Sequence, residues 1–187
     1  INSKVNLKNI YVKNSKNEDG INIINSDTEV SNIYFENIKA DAFDVDFGSL
    51  IFKNIDCKNI KNDCLDISGA TVIGENLLSN NTFDKGISVG ENSDVKIVNL
   101  KTFNTNIGLA VKDGSKANFK NVDFDKNNLD IIVFNKKQEF SKPSLIIDGL
   151  SKIDMKKILQ SKGTKLVINN IDYFGNLKDE FINSKIY

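Results

Sequence analysis

The strongest constraint on the fold is an internal repeat with a stride of 22 residues. Two columns at this stride are apolar through six successive periods, and the residue between them varies. Such alternation is typical of a β-strand with one buried face. The repeat therefore predicts that one strand of every period contributes to a shared interior. The two columns are Ile21, Phe43, Leu65, Ile87, Leu109 and Ile131, and Ile23, Val45, Ile67, Val89, Val111 and Val133.

Asparagine recurs at two other positions of the period. Alternating apolar residues flank the first asparagine column, so each period holds three short strands separated by polar corners. Asparagine tolerates the left-handed backbone that corners require, and stacked asparagine side chains can hydrogen-bond as a ladder. We therefore expect both columns to be structural. They are Asn9, Asn32, Asn54, Asn76, Asn99 and Asn121, and Asn14, Asn37, Asn59, Asn81 and Asn104.

The length of the period decides between repeat architectures. A βαβ unit needs about 30 residues, and this period lacks the helix of a leucine-rich repeat. Equivalent strands of successive periods are therefore expected to stack in parallel. The sequence predicts an all-β fold, a single-stranded right-handed parallel β-helix of three sheets, with about eight turns of ~22 residues.

The repeat also predicts how the single domain is organised. Residues 1–135 hold the regular turns, and residues 136–187 hold the last turns, with a polar insertion at Lys136–Pro143. The tail Asn176–Tyr187 is expected to cap the last turn, whose apolar end and strand edges would otherwise be exposed. Ile1 leads directly into strand pattern, so we expect further turns, another domain or a partner on that side.

Composition narrows the possible functions. The formal net charge is zero, which argues against nucleic-acid binding, and no apolar run approaches the ~20 residues of a membrane span. The chain contains no histidine, and its 25 basic residues are all lysine. It therefore lacks an imidazole base, a histidine-activated nucleophile and a bidentate guanidinium clamp. A non-catalytic module is expected more than an enzyme.

The repeat covers essentially the whole chain and resembles the right-handed parallel β-helix proteins of the pectin-lyase-like group. The stretches Asn62–Gly69 and Asp84–Ser93 resemble β-helix modules of bacterial surface and secreted proteins in particular. Such folds host many activities. The resemblance implies a non-catalytic module outside the cell or on its surface. Its role would be that of a rigid spacer or a carbohydrate-facing binding module, with a polysaccharide as the partner.

Polygalacturonase-type glycosidases share this scaffold and carry paired aspartates, a histidine and an arginine on adjacent turns. At the matching positions this chain lacks the first aspartate of the pair, the histidine and the arginine. A glycosidase needs a protonated acid opposite a base or nucleophile, so hydrolase activity is not expected. The matching residues are Asp41, Asn62, Asp63, Lys85, Ala110 and Lys112.

Calcium-dependent polysaccharide lyases share the scaffold as well. They hold Ca²⁺ with clustered aspartates and use a lysine as base on uronate polymers. The run Asn62–Asp66 resembles their Asp-Asp-x-x-Asp motif, and the stride stacks it on a similar run one turn earlier. The alternatives are a calcium site with Lys85 as the base, and a solvated acidic stripe without a cofactor. Neighbouring carboxylates should raise the pKa of Lys85, which opposes the role of a base. The implied ligands are Asp41, Asp44, Asp63 and Asp66.

Two cysteines, Cys57 and Cys64, lie seven residues apart in one turn. We expect two buried thiols, because their positions in the repeat otherwise hold apolar or small residues. The alternative is a disulfide across a corner, which would suit a secreted protein. Two cysteines without histidine make no zinc site.

Two tyrosines, Tyr11 and Tyr34, occupy the same position in neighbouring turns and are expected to point outward. An exposed aromatic pair can bind a sugar ring. The same pair is equally expected as an ordinary cross-strand contact on a sheet surface. Both interpretations stay open from the sequence.

Overall fold

The computed structural model describes residues 3–187, in which parallel strands follow one another around a coil. No helix in this range has the length and apolar character needed to cross a membrane. A single 3-10 turn covers Met155–Lys157. The elements are β1 (Lys4–Lys13), β2 (Ile21–Ile38), β3 (Phe43–Ile60), β4 (Leu65–Thr82), β5 (Lys85–Gly90), β6 (Asp94–Phe103), β7 (Ile107–Lys112), β8 (Lys116–Asp125), β9 (Leu129–Phe134), β10 (Ser144–Leu150), β11 (Ile158–Gln160), β12 (Lys165–Ile168), β13 (Ile171–Tyr173) and α1 (Asp179–Ile186).

The chain forms a parallel β-solenoid of about eight turns of ~22 residues, as the repeat predicts. Phe43 pairs with Leu65, and Leu65 pairs with Ile87, so residues one stride apart are vertical neighbours. All three side chains are 0% exposed. Each turn therefore buries its inward residues against the turns above and below it, and the stack produces one continuous core.

Each long strand bends at its asparagines and contributes to three sheets. We name the sheets by the segments of β4: sheet 1 contains Leu65–Ser68 and its equivalents, sheet 2 contains Ala70–Glu75, and sheet 3 contains Leu77–Asn80. The pairing register skips the corner residues between these segments. The three sheets enclose the interior, and their outward side chains form the surface of the molecule.

The asparagine corners confirm their predicted structural role. Every residue of both columns has a positive φ, between 53° and 62°. In both ladders the Nδ2 group of each asparagine after the first donates to the Oδ1 atom of the asparagine one turn earlier. The N–O distances are 2.7–3.1 Å in the first ladder and 2.6–3.0 Å in the second. The ladders therefore satisfy the side chains that the corner geometry selects.

The two cysteines form a disulfide, so the expectation of two buried thiols is wrong. Cys57 lies at the end of a sheet 3 segment, and Cys64 lies just before the following sheet 1 segment. The corner between them folds the chain back until their Cα atoms are 5.8 Å apart, within the range that a disulfide spans. The seven-residue spacing alone could not show this, because it does not report how sharply the corner turns.

Reduction of this disulfide should lower the free energy of unfolding by about 2 kcal/mol, the loop-closure entropy of a short loop. Urea unfolding with and without dithiothreitol measures the effect. The matched control is the double variant Cys57→Ser/Cys64→Ala, which places the residues of neighbouring turns, Ser79 and Ala42, at these positions. Its unfolding should not respond to dithiothreitol. An equal response in both proteins would show that the reductant acts elsewhere.

The C-terminal tail covers a side of the solenoid as well as its end. Strand β13 pairs antiparallel with β12 and covers part of the last strand edge. Helix α1 then lies against the outward face of sheet 1, where Ile182 is buried in a second apolar cluster with Ala110 and Ile132. This contact explains why β5, β7 and β9 are buried on both faces.

Candidate functional site

The predicted acidic cluster begins with a column of aspartates at the corner before sheet 1. The Oδ1 atom of Asp19 accepts the backbone N–H of Asp41 at 3.0 Å, and that of Asp41 accepts the N–H of Asp63 at 2.7 Å. Asp63 in turn accepts the N–H of Lys85 at 2.9 Å. Half of the predicted calcium ligands therefore already bind backbone amides of the next turn. The 22-residue recurrence of aspartate is consistent with this structural role.

Lys85 ends this column in a buried ion pair. Lys85 and Asp63 are both 3% exposed, and Lys85 Nζ lies 3.3 Å from Asp63 Oδ1. The ammonium also donates to Asp84, and the Tyr187 ring centroid lies 5.2 Å away. Burial alone would lower the pKa of Lys85, but these carboxylates outweigh burial and raise the pKa overall. Lys85 is therefore held protonated, as the sequence predicts.

A second acidic group lies on the outward face of sheet 1. Asp44 stands between Asn22 and Asp66 in the stacked register, and Asn22 Nδ2 donates to its Oδ2 atom at 2.8 Å. Burial, then the charges of Asp46 and Asp66, raise the pKa of Asp44 to about 7. Burial likewise raises the pKa of Asp41 to about 6, although the hydrogen bond from Asp63 opposes it. These carboxyl groups therefore retain protons in mild acid.

The predicted calcium ligands are close in the coil but are not arranged as one coordination sphere. Within residues 3–187, no group of three or more acidic or sulfur side chains is positioned to hold a metal ion. Asp41 and Asp63 belong to the corner ladder, whereas Asp44 and Asp66 stack on the sheet face. The calcium site therefore stays a prediction.

The raised pKa values predict that the protein is more stable in mild acid than at neutral pH. The pKa of an aspartate in the unfolded chain is about 3.9, whereas the pKa in the folded protein is about 6 for Asp41 and about 7 for Asp44. Between these values the folded state binds more protons, so stability falls as pH rises from about 4 to about 7, then levels off. Because both groups are partly solvated, we expect the Tm at pH 5 to exceed that at pH 8 by only about 3 °C.

Two aspartate-to-asparagine variants test the source of this effect. Asp44→Asn should flatten the change in Tm with pH, because it removes a titrating group from the crowded face. Asp148→Asn, at an exposed position of β10, is the matched control and should leave the profile unchanged. A profile that rises from pH 5 to pH 8 in the parent protein would contradict the assignment.

The two tyrosines lie on the outward face of sheet 3, as expected, and contact each other. Their ring centroids are 4.5 Å apart, and Tyr11 is 54% exposed. The Lys13 ammonium lies 4.0 Å from the Tyr11 ring centroid, and Tyr11 Oη donates to Glu36. Burial raises the pKa of Tyr34 to about 12. The pair thus forms a cross-strand contact on the surface, in which Tyr11 is the more exposed ring.

The column that begins with the tyrosines continues into a groove. Asp56, Leu78, Lys101 and Asp123 follow Tyr34 at the same outward position of successive turns. With the first asparagine ladder they line a groove of about 440 Å³ that runs along the coil. Lys101 and Asp123 form an ion pair at 3.1 Å. Sequence reasoning missed this groove, because the asparagine column was assigned to the corners and the outward column beside it shares no chemical type.

Comparison of the chain with protein-family models, with curated proteins and with solved structures gives no match in any of the three.

Proposed function

We propose that this chain is a non-catalytic, rigid module of an exported protein, with the pectin-lyase-like type of parallel β-helix, that binds a neutral polysaccharide along sheet 3. The observation that carries the proposal is the groove beside the first asparagine ladder. It is open to solvent along several turns, and it combines an apolar side chain, Leu78, with the charged groups of Asp56, Lys101 and Asp123. Sugar chains carry apolar C–H faces that can pack on such an apolar side chain and hydroxyl groups that can hydrogen-bond to such charged groups.

The direction of the groove supports a linear ligand. Equivalent side chains are spaced by the strand separation of ~4.8 Å and follow the axis of the coil. An extended polysaccharide that lies along this axis could therefore contact one side chain of each successive turn. The exposed ring of Tyr11, at the end of this column, offers an aromatic surface for a further contact.

Two further features support an exported, mechanically rigid module. A disulfide between buried cysteines persists in oxidising compartments and is rare in the cytosol. The asparagine ladders and the continuous core link every turn in residues 4–125 to its neighbours, which favours a rigid rod. These features support the proposal that the protein acts outside the cell or on its surface, as a spacer that presents sheet 3.

Affinity electrophoresis tests the binding proposal. Gels containing soluble xylan, β-glucan or galactomannan should retard the parent protein, and the double variant Leu78→Ser/Lys101→Ala should lose at least 10-fold in affinity, about 1.4 kcal/mol. Ile73→Ser is the matched control, because Ile73 is an exposed apolar residue of sheet 2 and does not line the groove. Equal mobility in all gels, or equal retardation of the groove variant, would refute the proposal.

The calcium-dependent lyase is not our proposal, because the structure gives its base an unsuitable environment. A general base must lose its proton near the working pH, whereas two carboxylates hold Lys85 protonated. A melt with calcium or EDTA tests the metal directly. If calcium raises the Tm of the parent and Asp66→Ala removes the rise, the acidic cluster is a calcium site. Equal melts with calcium and EDTA would exclude it.

A further inference from the structure

Two lysines, Lys39 and Lys61, stack on each other at the corner that joins sheet 3 to sheet 1. The backbone N–H of Lys61 donates to the carbonyl of Ile38 at 2.9 Å, and the N–H of Asn62 donates to the carbonyl of Ala40 at 3.3 Å. Residue 61 therefore stacks on residue 39, at the strand separation of ~4.8 Å. Both lysines are exposed, and neither forms an ion pair within residues 3–187.

The lysines of the sheets are arranged differently. Wherever the strand register of the described residues places a lysine beside a charged residue of a neighbouring strand, that residue is an aspartate or a glutamate. Like charges on neighbouring strands are destabilising, so the stacked corner lysines carry positive charge that the chain itself does not balance. The sheet pairs are Lys4 and Asp27, Lys13 and Glu36, Lys58 and Glu36, Lys53 and Glu75, Lys101 and Asp123, Lys116 and Asp94, and Lys120 and Asp148.

The corner lysines line a groove beside the second asparagine ladder. A cavity of about 280 Å³ is lined by Lys39, Lys61, the exposed ring of Phe83 and three asparagines of that ladder. A cavity of about 270 Å³ continues along the coil from Phe83 to Lys126. Neither lining includes a carboxylate. The groove therefore presents positive charge over several turns, in the direction of the coil axis.

The hydrogen-bond donors of this groove suit a tetrahedral oxyanion. The Lys61 ammonium lies 3.5 Å from the Phe83 ring centroid, so a cation–π contact holds it in the groove. Each ladder asparagine after the first uses one of its two Nδ2 hydrogens toward the preceding turn, and no second acceptor lies among residues 3–187. Planar carboxylates are matched best by guanidinium, which this chain lacks. A sulfate or phosphate ester offers three oxygens, which can accept from lysine and asparagine together.

We propose that this groove binds a linear polysaccharide that carries sulfate or phosphate esters. The ester oxygens accept hydrogen bonds from the ammonium groups of Lys39 and Lys61, and the sugar chain runs along the second asparagine ladder toward Lys126. The bound esters supply the negative charge that the stacked lysines lack. This groove and its charged ligand are separate from the neutral polysaccharide proposed for sheet 3, and neither proposal depends on the other.

Dextrans that share one backbone and differ in charge test the ligand. Isothermal titration calorimetry with the whole chain should show binding of dextran sulfate or dextran phosphate, and the two affinities distinguish the esters. Neutral dextran, and carboxymethyl dextran of the same charge density, should bind at least 10-fold more weakly. The sheet 3 variant Leu78→Ser/Lys101→Ala should retain ester binding. No binding of either ester, or equal binding of carboxymethyl dextran or a single-stranded oligonucleotide, would overturn the proposal.

Matched lysine variants locate the site. Lys39→Gln/Lys61→Gln should weaken binding of the ester dextran at least 10-fold and should not lower the Tm, because it removes two charges that repel each other. Lys96→Gln/Lys120→Gln removes two exposed lysines of sheet 2 and changes the net charge equally, so it should bind like the parent protein. Full binding by the corner variant, or an equal loss in both variants, would show that the groove is not the site.

Discussion

Leu65→Asp is expected to abolish folding. Leu65 is 0% exposed and stacks between Phe43 and Ile87 in the interior of consecutive turns. The substitution removes a buried apolar side chain and places a carboxyl group where no polar partner is available, at a cost of several kcal/mol. Because a domain is stable by only about 5–15 kcal/mol, circular dichroism should show no cooperative thermal transition and a loss of the strand signal.

The same substitution at an outward position provides the control. Ile73 lies on sheet 2 with 53% of its surface exposed, so Ile73→Asp introduces the same charge without burying it. We expect a change in Tm of no more than about 3 °C. If Leu65→Asp still unfolded cooperatively near the parental Tm, the stacked interior would be wrong.

Lys85→Met should lower the free energy of unfolding by about 3–5 kcal/mol, because it leaves a buried carboxylate without its cation. Methionine keeps most of the side-chain volume, so the loss reports charge more than packing. In the parent protein Asp63 is 3% exposed and accepts the backbone N–H of residue 85, a donor that the substitution keeps. Urea unfolding at pH 7 measures the difference from the parent protein.

A double variant separates the ion pair from its surroundings. Asp63→Asn keeps an oxygen acceptor for the backbone amide and removes the charge, so Asp63→Asn/Lys85→Met should recover most of the lost stability. Lys96→Met, at an exposed position of sheet 2, is the matched control and should be nearly neutral. If the double variant were as unstable as Lys85→Met alone, the loss would come from packing around residue 85.

Sequence reasoning succeeded where a residue type recurs because the local backbone or the burial of one strand face requires it. The apolar columns through Leu65 predict the interior, since a period-two pattern reports which side of a strand is buried. The asparagine columns predict corners, because few other residues adopt a positive φ at low cost. The upward shift in the pKa of Lys85 also follows from the stride, which places it next to Asp63.

Sequence reasoning was limited where the outcome depends on contacts between surfaces. The cysteine spacing left two interpretations open, and the sharpness of one corner selects the disulfide. The aspartates at positions 41 and 63 suggest metal ligands by type, whereas their oxygens accept backbone amides of the next turn. The groove beside Leu78 combines the asparagine ladder with outward side chains that change type from turn to turn, so the repeat indicates a corner and not a groove.

The amino-acid sequence by itself therefore determined the stride, the inward side of each strand and the asparagine corners, because each depends on local backbone preference and on burial repeated in every turn. Only the tertiary structure decided which outward faces are covered, which carboxylates already accept backbone hydrogen bonds and where a ligand could lie. These features depend on how the tail packs against sheet 1 and how neighbouring turns align, and such long-range contacts leave no periodic signal in the chain.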